Sequence, residues 1–170
     1  MQRQSRQIIV MRHAKAEQVG ATDRDRELAP RGRDEAARAA RWLVDRDIVP
    51  THALVSAAVR TRQTWETVRE TAGWPLEATY DAGLYAAMPE TVFDLIREAP
   101  AQARTLMVVG HNPTMESVAQ LLDDGEGDTE VALAMARGFA TSAVAVLLHE
   151  GEWADVAESS ARLVDFFEGR

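Results

Sequence analysis

The stretch VMRHAKAE, residues 10–17, ends an apolar run, Ile8-Ile9-Val10-Met11, in an arginine and a histidine side by side. A guanidinium grips oxyanions with a two-pronged fork, and a neutral imidazole can attack, accept or donate a proton. The same juxtaposition recurs in TLMVVGHNP, where an apolar run enters Gly110-His111-Asn112. A third segment, LVSAAVRTRQT, leaves an apolar run at Ser56 and brings Arg60 into the first turn of a helical pattern. Four histidines occur, at 13, 52, 111 and 149, and two of them stand at the ends of apolar runs. Each residue taken singly has an ordinary explanation. An arginine after a strand caps a sheet edge in water, a lone histidine is a structural residue, and Arg60 and Arg62 form the polar face of an amphipathic helix. For Arg62 that explanation is the preferred one. Jointly, two arginines and two histidines beside helix starts make a trap for a tetrahedral dianion. The forks hold the oxygens, and helix N-termini add free N–H donors and partial positive charge. One neutral histidine can attack phosphorus while the other donates to an equatorial oxygen. Cations placed in this way neutralise the developing charge without a metal ion.

Such a trap requires elements that bring distant segments to one edge. Apolar runs predict strands over 7–12, 51–56, 105–110 and 142–148, with a short one over 76–81. Helical spacing covers 31–46 after a turn at Ala29-Pro30, and 59–73 with Gly73 as its terminator. Further helices cover 89–99, stopped before Pro100, and 113–122, with Pro113 at the first position. Residues 123–130, DDGEGDTE, read as a solvated acidic loop, 153–157 as a partner for the last strand, and 161–169 as a tail packed on the body. There is no internal repeat and no Gly/Ser-rich linker. Strands alternating with helices imply βαβ units, an α/β fold and a largely parallel sheet. In such sheets ligands bind beyond the carboxyl ends of the strands, where Arg12, His13 and His111 stand.

Bulk properties narrow the function classes. The 170 residues suffice for one domain with a sizeable core, and 46% hydrophobic with 27% charged residues is ordinary for a globular chain. No apolar run approaches the ~20 residues of a membrane-spanning helix. The N-terminal MQRQSRQIIVM is too short in its apolar part for a secretory leader. The absence of cysteine rules out disulfides and thiolate chemistry and fits a cytoplasmic location. A net charge of −8 argues against nucleic-acid or anionic-membrane partners, so an anionic ligand must be drawn by a local basic pocket.

VMRHAKAE, VSAAVRTRQT and VVGHNP, in this order with helices between them, resemble the histidine phosphatase superfamily, also called the phosphoglycerate mutase-like or RHG family. The resemblance runs from about residue 8 to residue 150. The short length, the LAPRG turn and LYAAMPETV look closest to SixA-type phosphohistidine phosphatases. It implies a single domain over 1–170, three α/β/α layers and a mostly parallel sheet. It also implies His13 as the phosphorylated nucleophile, with Arg12, Arg60 and His111 holding the phosphoryl group and Ser56 and Asn112 in support. No cofactor and no metal are implied. The partner is a phosphorylated substrate, with a phosphohistidine-bearing protein as the leading candidate.

Two departures carry chemical consequences. The family's usual glycine after the nucleophile is Ala14 here, which limits backbone freedom where phosphate approaches. The family's sugar phosphatases and mutases carry a glutamate general acid in the segment that here reads GLYAAMPE, with Tyr85-Ala86 near the expected place. Glu90 falls later and begins a helix. An alkoxide leaving group needs a proton in the transition state. Imidazole, with a conjugate-acid pKa of about 6.5, leaves far more easily. The missing acid therefore favours P–N or activated P–O substrates. Glu17 is the candidate acid if one is required; a solvated loop charge is the preferred reading of it. Two alternatives stand at this level: a small-molecule phosphomonoesterase of the same superfamily, and a non-catalytic phosphate- or phosphoprotein-binding module. Mutase activity suits the short chain poorly, because little sequence is left for a substrate lid.

Overall fold

Strand β1 (Ser5–Arg12) lies in the middle of a six-stranded sheet, and its alternate side chains face opposite layers. Ile9 and Met11 pack with Ala36, Ala39, Ala40 and Leu43 of α1 (Pro30–Val44) and Trp65 and Val68 of α2 (Val59–Ala72). Ile8 and Val10 pack on the other face with Val92, Phe93 and Ile96 of α3 (Pro89–Arg97) and Met115, Val118 and Leu122 of α4 (Thr114–Leu122). A computed structural model describes residues 4–170. The first three residues of the stretch read above as lacking a leader lie outside the described part.

The remaining strands are β2 (His52–Ser56), β3 (Thr79–Asp81), β4 (Thr105–Gly110), β5 (Val144–Glu150) and β6 (Ala161–Phe167), in the order β3-β2-β4-β1-β5-β6. The pairs β3-β2, β2-β4 and β4-β1 are parallel, whereas β1-β5 and β5-β6 are antiparallel. The result is a three-layer α/β/α fold with a mostly parallel sheet, as the alternation of elements predicts. Each buried aliphatic side chain contributes roughly 1.5–3 kcal/mol. The ends of β1, β2 and β4 are therefore anchored by a core on both faces.

Three local readings change, and a fourth holds with a strand added. Pro113 stands one residue before α4 rather than inside it, because Met115 N already donates to His111 O (2.9 Å) and Asn112 Oδ1 accepts from Glu116 N (3.2 Å). The acidic stretch ends in a cap: Asp128 accepts from Glu130 N and Val131 N and opens a further helix, α5 (Thr129–Ala136). Residues 153–155 form a 3₁₀ turn instead of a strand, with Trp153 buried and its indole N–H donating to Ala103 O (3.0 Å). The tail packs on the body as strand β6, whose Ala161, Leu163 and Phe166 are buried.

One glycine explains the LAPRG turn. A Cβ on Gly32, in the first turn of α1, would lie 2.0 Å from the carbonyl oxygen of Lys15. Only glycine lets α1 start so close to the chain leaving His13.

Candidate active site

His13 follows β1 directly and is clamped through its backbone. Its N–H donates to Gly110 O at the end of β4 (3.0 Å), and its carbonyl accepts from Ser142 N ahead of β5 (3.1 Å). The side chain is 8% exposed. Its Nδ1 lies 2.7 Å from Ala14 O, a carbonyl that can only accept, so Nδ1 carries the proton and Nε2 keeps its lone pair. Burial pushes the imidazole pKa down to about 3, and the fields of His111, Arg60 and Arg12 act in the same direction.

His111 follows β4 in the equivalent position. The two rings have centroids 5.4 Å apart, inclined at 58°. His111 Nε2 is 2.7 Å from Ser56 Oγ, which also accepts from Ala58 N (3.4 Å). With Ser56 donating its hydroxyl proton to Nε2, the remaining nitrogen Nδ1 becomes an N–H donor, and it is buried without a partner. Burial, then Arg60, lowers the His111 pKa to about 4.

Arg60 sits in the first turn of α2, as read from the sequence, and is 6% exposed. Nη1 donates to Asp23 O (2.8 Å) and Nη2 to Asp23 Oδ2 (3.1 Å), while Nε is buried and unpartnered. Arg12 Nη1 donates to Phe139 O (3.1 Å), and its Nε is likewise buried and unpartnered. Burial lowers the Arg12 pKa from its ordinary value, against the carboxylates of Glu116 and Glu35. Arg12 Nε and Arg60 Nε, with His111 Nδ1 when Ser56 donates to Nε2, are thus buried donors with no acceptor near the neutral imidazole of His13. Each such donor costs roughly 1–3 kcal/mol. A tetrahedral oxyanion is the ligand type that satisfies them together.

The structure also places the residues given secondary weight. Ser56 supports His111, and Asn112 Nδ2 donates to Phe139 O (3.0 Å), the carbonyl that Arg12 uses. Ala14 is fully buried in the core, and its N–H donates to Thr64 Oγ1 (3.0 Å). Its methyl therefore belongs to the packing under α1 and α2. Arg62 is exposed over the Tyr80 ring at 4.2 Å, on the polar face of α2. Glu17 is exposed; its backbone N–H donates to Glu27 O (2.8 Å), and its side chain bonds none of the four central residues.

Two residues beside the site had no role in the sequence reading. Asp23, in a 3₁₀ turn over Asp23–Asp25, accepts from both Arg60 and the Tyr85 hydroxyl. Tyr85 meets the His111 ring edge-on, with centroids 5.5 Å apart, and Arg24 lies over its face at 4.9 Å. The Tyr85 hydrogen bond, aided by Arg60, holds the Asp23 carboxyl below its ordinary pKa and raises that of Tyr85. Asp23 is therefore ionised at neutral pH. The GLYAAMPE segment supplies Tyr85 where the family's acid is expected, whereas nothing in the loop sequence TDRDR marks Asp23. Among the described residues, no group of three or more His, Asp or Glu is arranged to hold a metal ion, and no helix is long and apolar enough to cross a membrane.

Comparison with known proteins points the same way. Residues 8–86 match the histidine phosphatase superfamily (branch 1). An uncharacterized protein of Mycobacterium tuberculosis is 42% identical over 158 residues, covering 92% of this chain and 98% of that one. A structure from Nakamurella multipartitia, assigned as phosphohistidine phosphatase SixA, superimposes with a TM-score of 0.87 at 30% identity, covering 99% of both chains. A second, from Agrobacterium tumefaciens with the same assignment, gives 0.78 at 34% identity over 95% of this chain and 97% of that one. The chain belongs to the histidine phosphatase superfamily, and it is a phosphatase.

Proposed function

We propose that the chain is a metal-independent phosphohydrolase working through a phosphohistidine on His13, with phosphohistidine of another protein as its substrate. The observation that carries this reading is the state of His13. Nδ1 is committed to Ala14 O, so Nε2 offers its lone pair at neutral pH beside the unpartnered donors of Arg12, Arg60 and His111. In the first step Nε2 attacks phosphorus, and the bond from phosphorus to the leaving group breaks with its electron pair going to that group. In the second, water attacks the phosphoryl group, the P–N bond breaks with its pair returning to Nε2, and the protons of the water leave on the released phosphate. Arg12, Arg60 and His111 stabilise the charge that builds on the equatorial oxygens in both steps.

Leaving-group chemistry supports the substrate. Asp23 is ionised and brings no proton, Tyr85 spends its own on Asp23, and Glu17 bonds nothing in the site. A protonated phosphohistidine releases neutral imidazole and needs no acid, whereas a sugar alkoxide does. The SixA assignment of two structural relatives at 30% and 34% identity points to the same class. The test is kcat/KM across leaving groups of graded pKa, from phosphohistidine peptides through aryl phosphates to sugar phosphates. A steep fall with leaving-group basicity is expected, and a flat dependence overturns the substrate reading. Activity is expected to survive EDTA; loss on chelation, restored by a divalent ion, overturns metal independence.

A further inference from the structure

A cavity of about 610 Å³ opens next to the candidate active site and shares with it Arg12 and Phe139, whose carbonyl accepts from Arg12 and Asn112. The sheet order explains the arrangement. His13, His111 and Arg60 gather over the carboxyl ends of β1, β4 and β2. The cavity lies on the other side of β1, between the first turns of α1, the chain leaving α5 and the end of β6. Five cationic side chains line it against two carboxylates, in a chain whose net charge is −8. Lys15 and Arg31 stand on one wall, and Arg137 on the other.

The walls are built rather than incidental. Glu35 is 1% exposed and ties the two loops together, accepting from Lys15 N (3.2 Å) and from the Thr141 hydroxyl (3.0 Å). A Cβ on Gly169 would lie 2.4 Å from Thr141 O, so the chain after β6 is packed tightly against the same loop. The cations above this base are long and loosely held. Arg31 is 66% exposed and 3.6 Å from Glu35, and Arg137 is 67% exposed and 3.1 Å from Glu168. The Arg137–Glu168 pair is exposed on both sides, so Arg137 turns to a new partner at little cost, whereas Arg31 reaches the buried Glu35 only at 3.6 Å.

We propose that this cavity binds the acidic polypeptide segment flanking the phosphorylated residue of the substrate; the inference rests on the protein-phosphatase reading above. A phosphoryl group bound by His13, Arg12, Arg60 and His111 leaves the rest of its carrier to run across the edge, and Arg12 marks the direction of the cavity. The volume lies in the range of ligand pockets. The ring of cations selects carboxylates, and the negative charge elsewhere on the chain repels them, so an acidic flank is steered to this opening.

The experiment uses the full chain and the double variant Lys15→Ala/Arg137→Ala, both exposed positions outside the proposed catalytic set. The substrates are 4-nitrophenyl phosphate and two phosphohistidine peptides, one flanked by Glu and Asp and one by Ser and Gly. Binding of an unphosphorylated acidic peptide is followed separately by fluorescence anisotropy. The wild type is expected to favour the acidic-flanked peptide by about tenfold in kcat/KM at low salt. The double variant and high salt should erase that preference and the anisotropy signal, with aryl phosphate turnover unchanged. Equal turnover of both peptides with no binding of the acidic peptide overturns the cavity. So does an equal loss on the aryl phosphate in the variant. Charge-dependent binding without hydrolysis of either phosphohistidine peptide sinks the substrate reading and leaves the cavity standing.

Discussion

The two sides of β1 do different work with similar residues. Over β1, β4 and β2, His13, His111 and Arg60 are each less than 10% exposed and hydrogen-bonded to fixed backbone or Ser56. Over β1, β5 and β6, Arg31 and Arg137 are two-thirds exposed; Arg137 pairs with the exposed Glu168, and Arg31 reaches Glu35 at 3.6 Å. The first side keeps imidazoles neutral by desolvation and holds them at set distances, which covalent chemistry requires. The second leaves its cations hydrated, which is enough to attract a charged segment but not to stabilise a transition state. Parallel strands, buried on both faces, supply the rigid side. The antiparallel pair β5-β6 supplies the looser one.

The comparison breaks most severely if the rigid side is not where the chemistry lies. His13→Ala is expected to reduce turnover to background, since the other neutral imidazole, His111, has its Nε2 lone pair engaged by Ser56. Acid-labile, alkali-stable label should form on quenched wild type and be absent from the variant. Normal turnover in His13→Ala, or label on a serine, ends the mechanism. Arg60→Ala should come next, because a charge-assisted contact is worth roughly 1.5–3 kcal/mol, or about 10- to 100-fold in kcat/KM. Arg137→Ala, on the loose side, should leave aryl phosphate turnover alone. Equal losses in these two variants would erase the distinction between the sides.

Much of the rigid side was legible in the sequence because each candidate motif is local. A strand, its final residue and the following helix start are contiguous in VMRHAKAE, VSAAVRTRQT and VVGHNP, so hydrophobic patterning located Arg12, His13, Arg60 and His111 together with their edge. Ser56 and Asn112 came with them. What stayed hidden depends on tertiary pairing. Asp23 and Tyr85 are 62 positions apart, and Glu35 meets Thr141 across 106. Neither pairing leaves a periodic trace. α5 was hidden because TEVALAMA is apolar with no clear face, and its cap, Asp128, was absorbed into an acidic run that looks like a solvated loop.

Burial of the two imidazoles also sets a stability profile. Both folded-state values, about 3 for His13 and about 4 for His111, lie below the ordinary 6.5. Below that ordinary value the unfolded chain takes up protons that the folded chain refuses, so stability falls as pH drops from 6.5 toward 4 and is unaffected by these groups above it. His13→Asn removes one titrating group. Its Tm should therefore decline less than that of the wild type between pH 6.5 and pH 4.5. Parallel declines would mean that His13 is not held neutral by the fold.

The smallest effect concerns Asp23, which belongs to neither side cleanly. It is an exposed-loop carboxylate, 54% exposed, yet it occupies the fork of a buried arginine. With the Nη groups of Arg60 committed to Asp23, a phosphoryl group must either share that fork or displace the carboxylate. Ionised Asp23 also opposes an incoming dianion by like charge. Asp23→Asn keeps the backbone carbonyl that Arg60 Nη1 uses and an oxygen for the Tyr85 hydroxyl, and removes only the charge. Because the site of that charge is more than half exposed, solvent screens it, and a change of only a few-fold is expected. Its direction is the informative part. Tighter inhibition by inorganic phosphate and a lower KM, with kcat nearly constant, would show that Asp23 competes with substrate for Arg60. A raised KM with weaker phosphate binding would show instead that Asp23 aims the guanidinium. The loop carrying Asp23 would then count with the rigid side, as part of what holds the phosphate clamp in place.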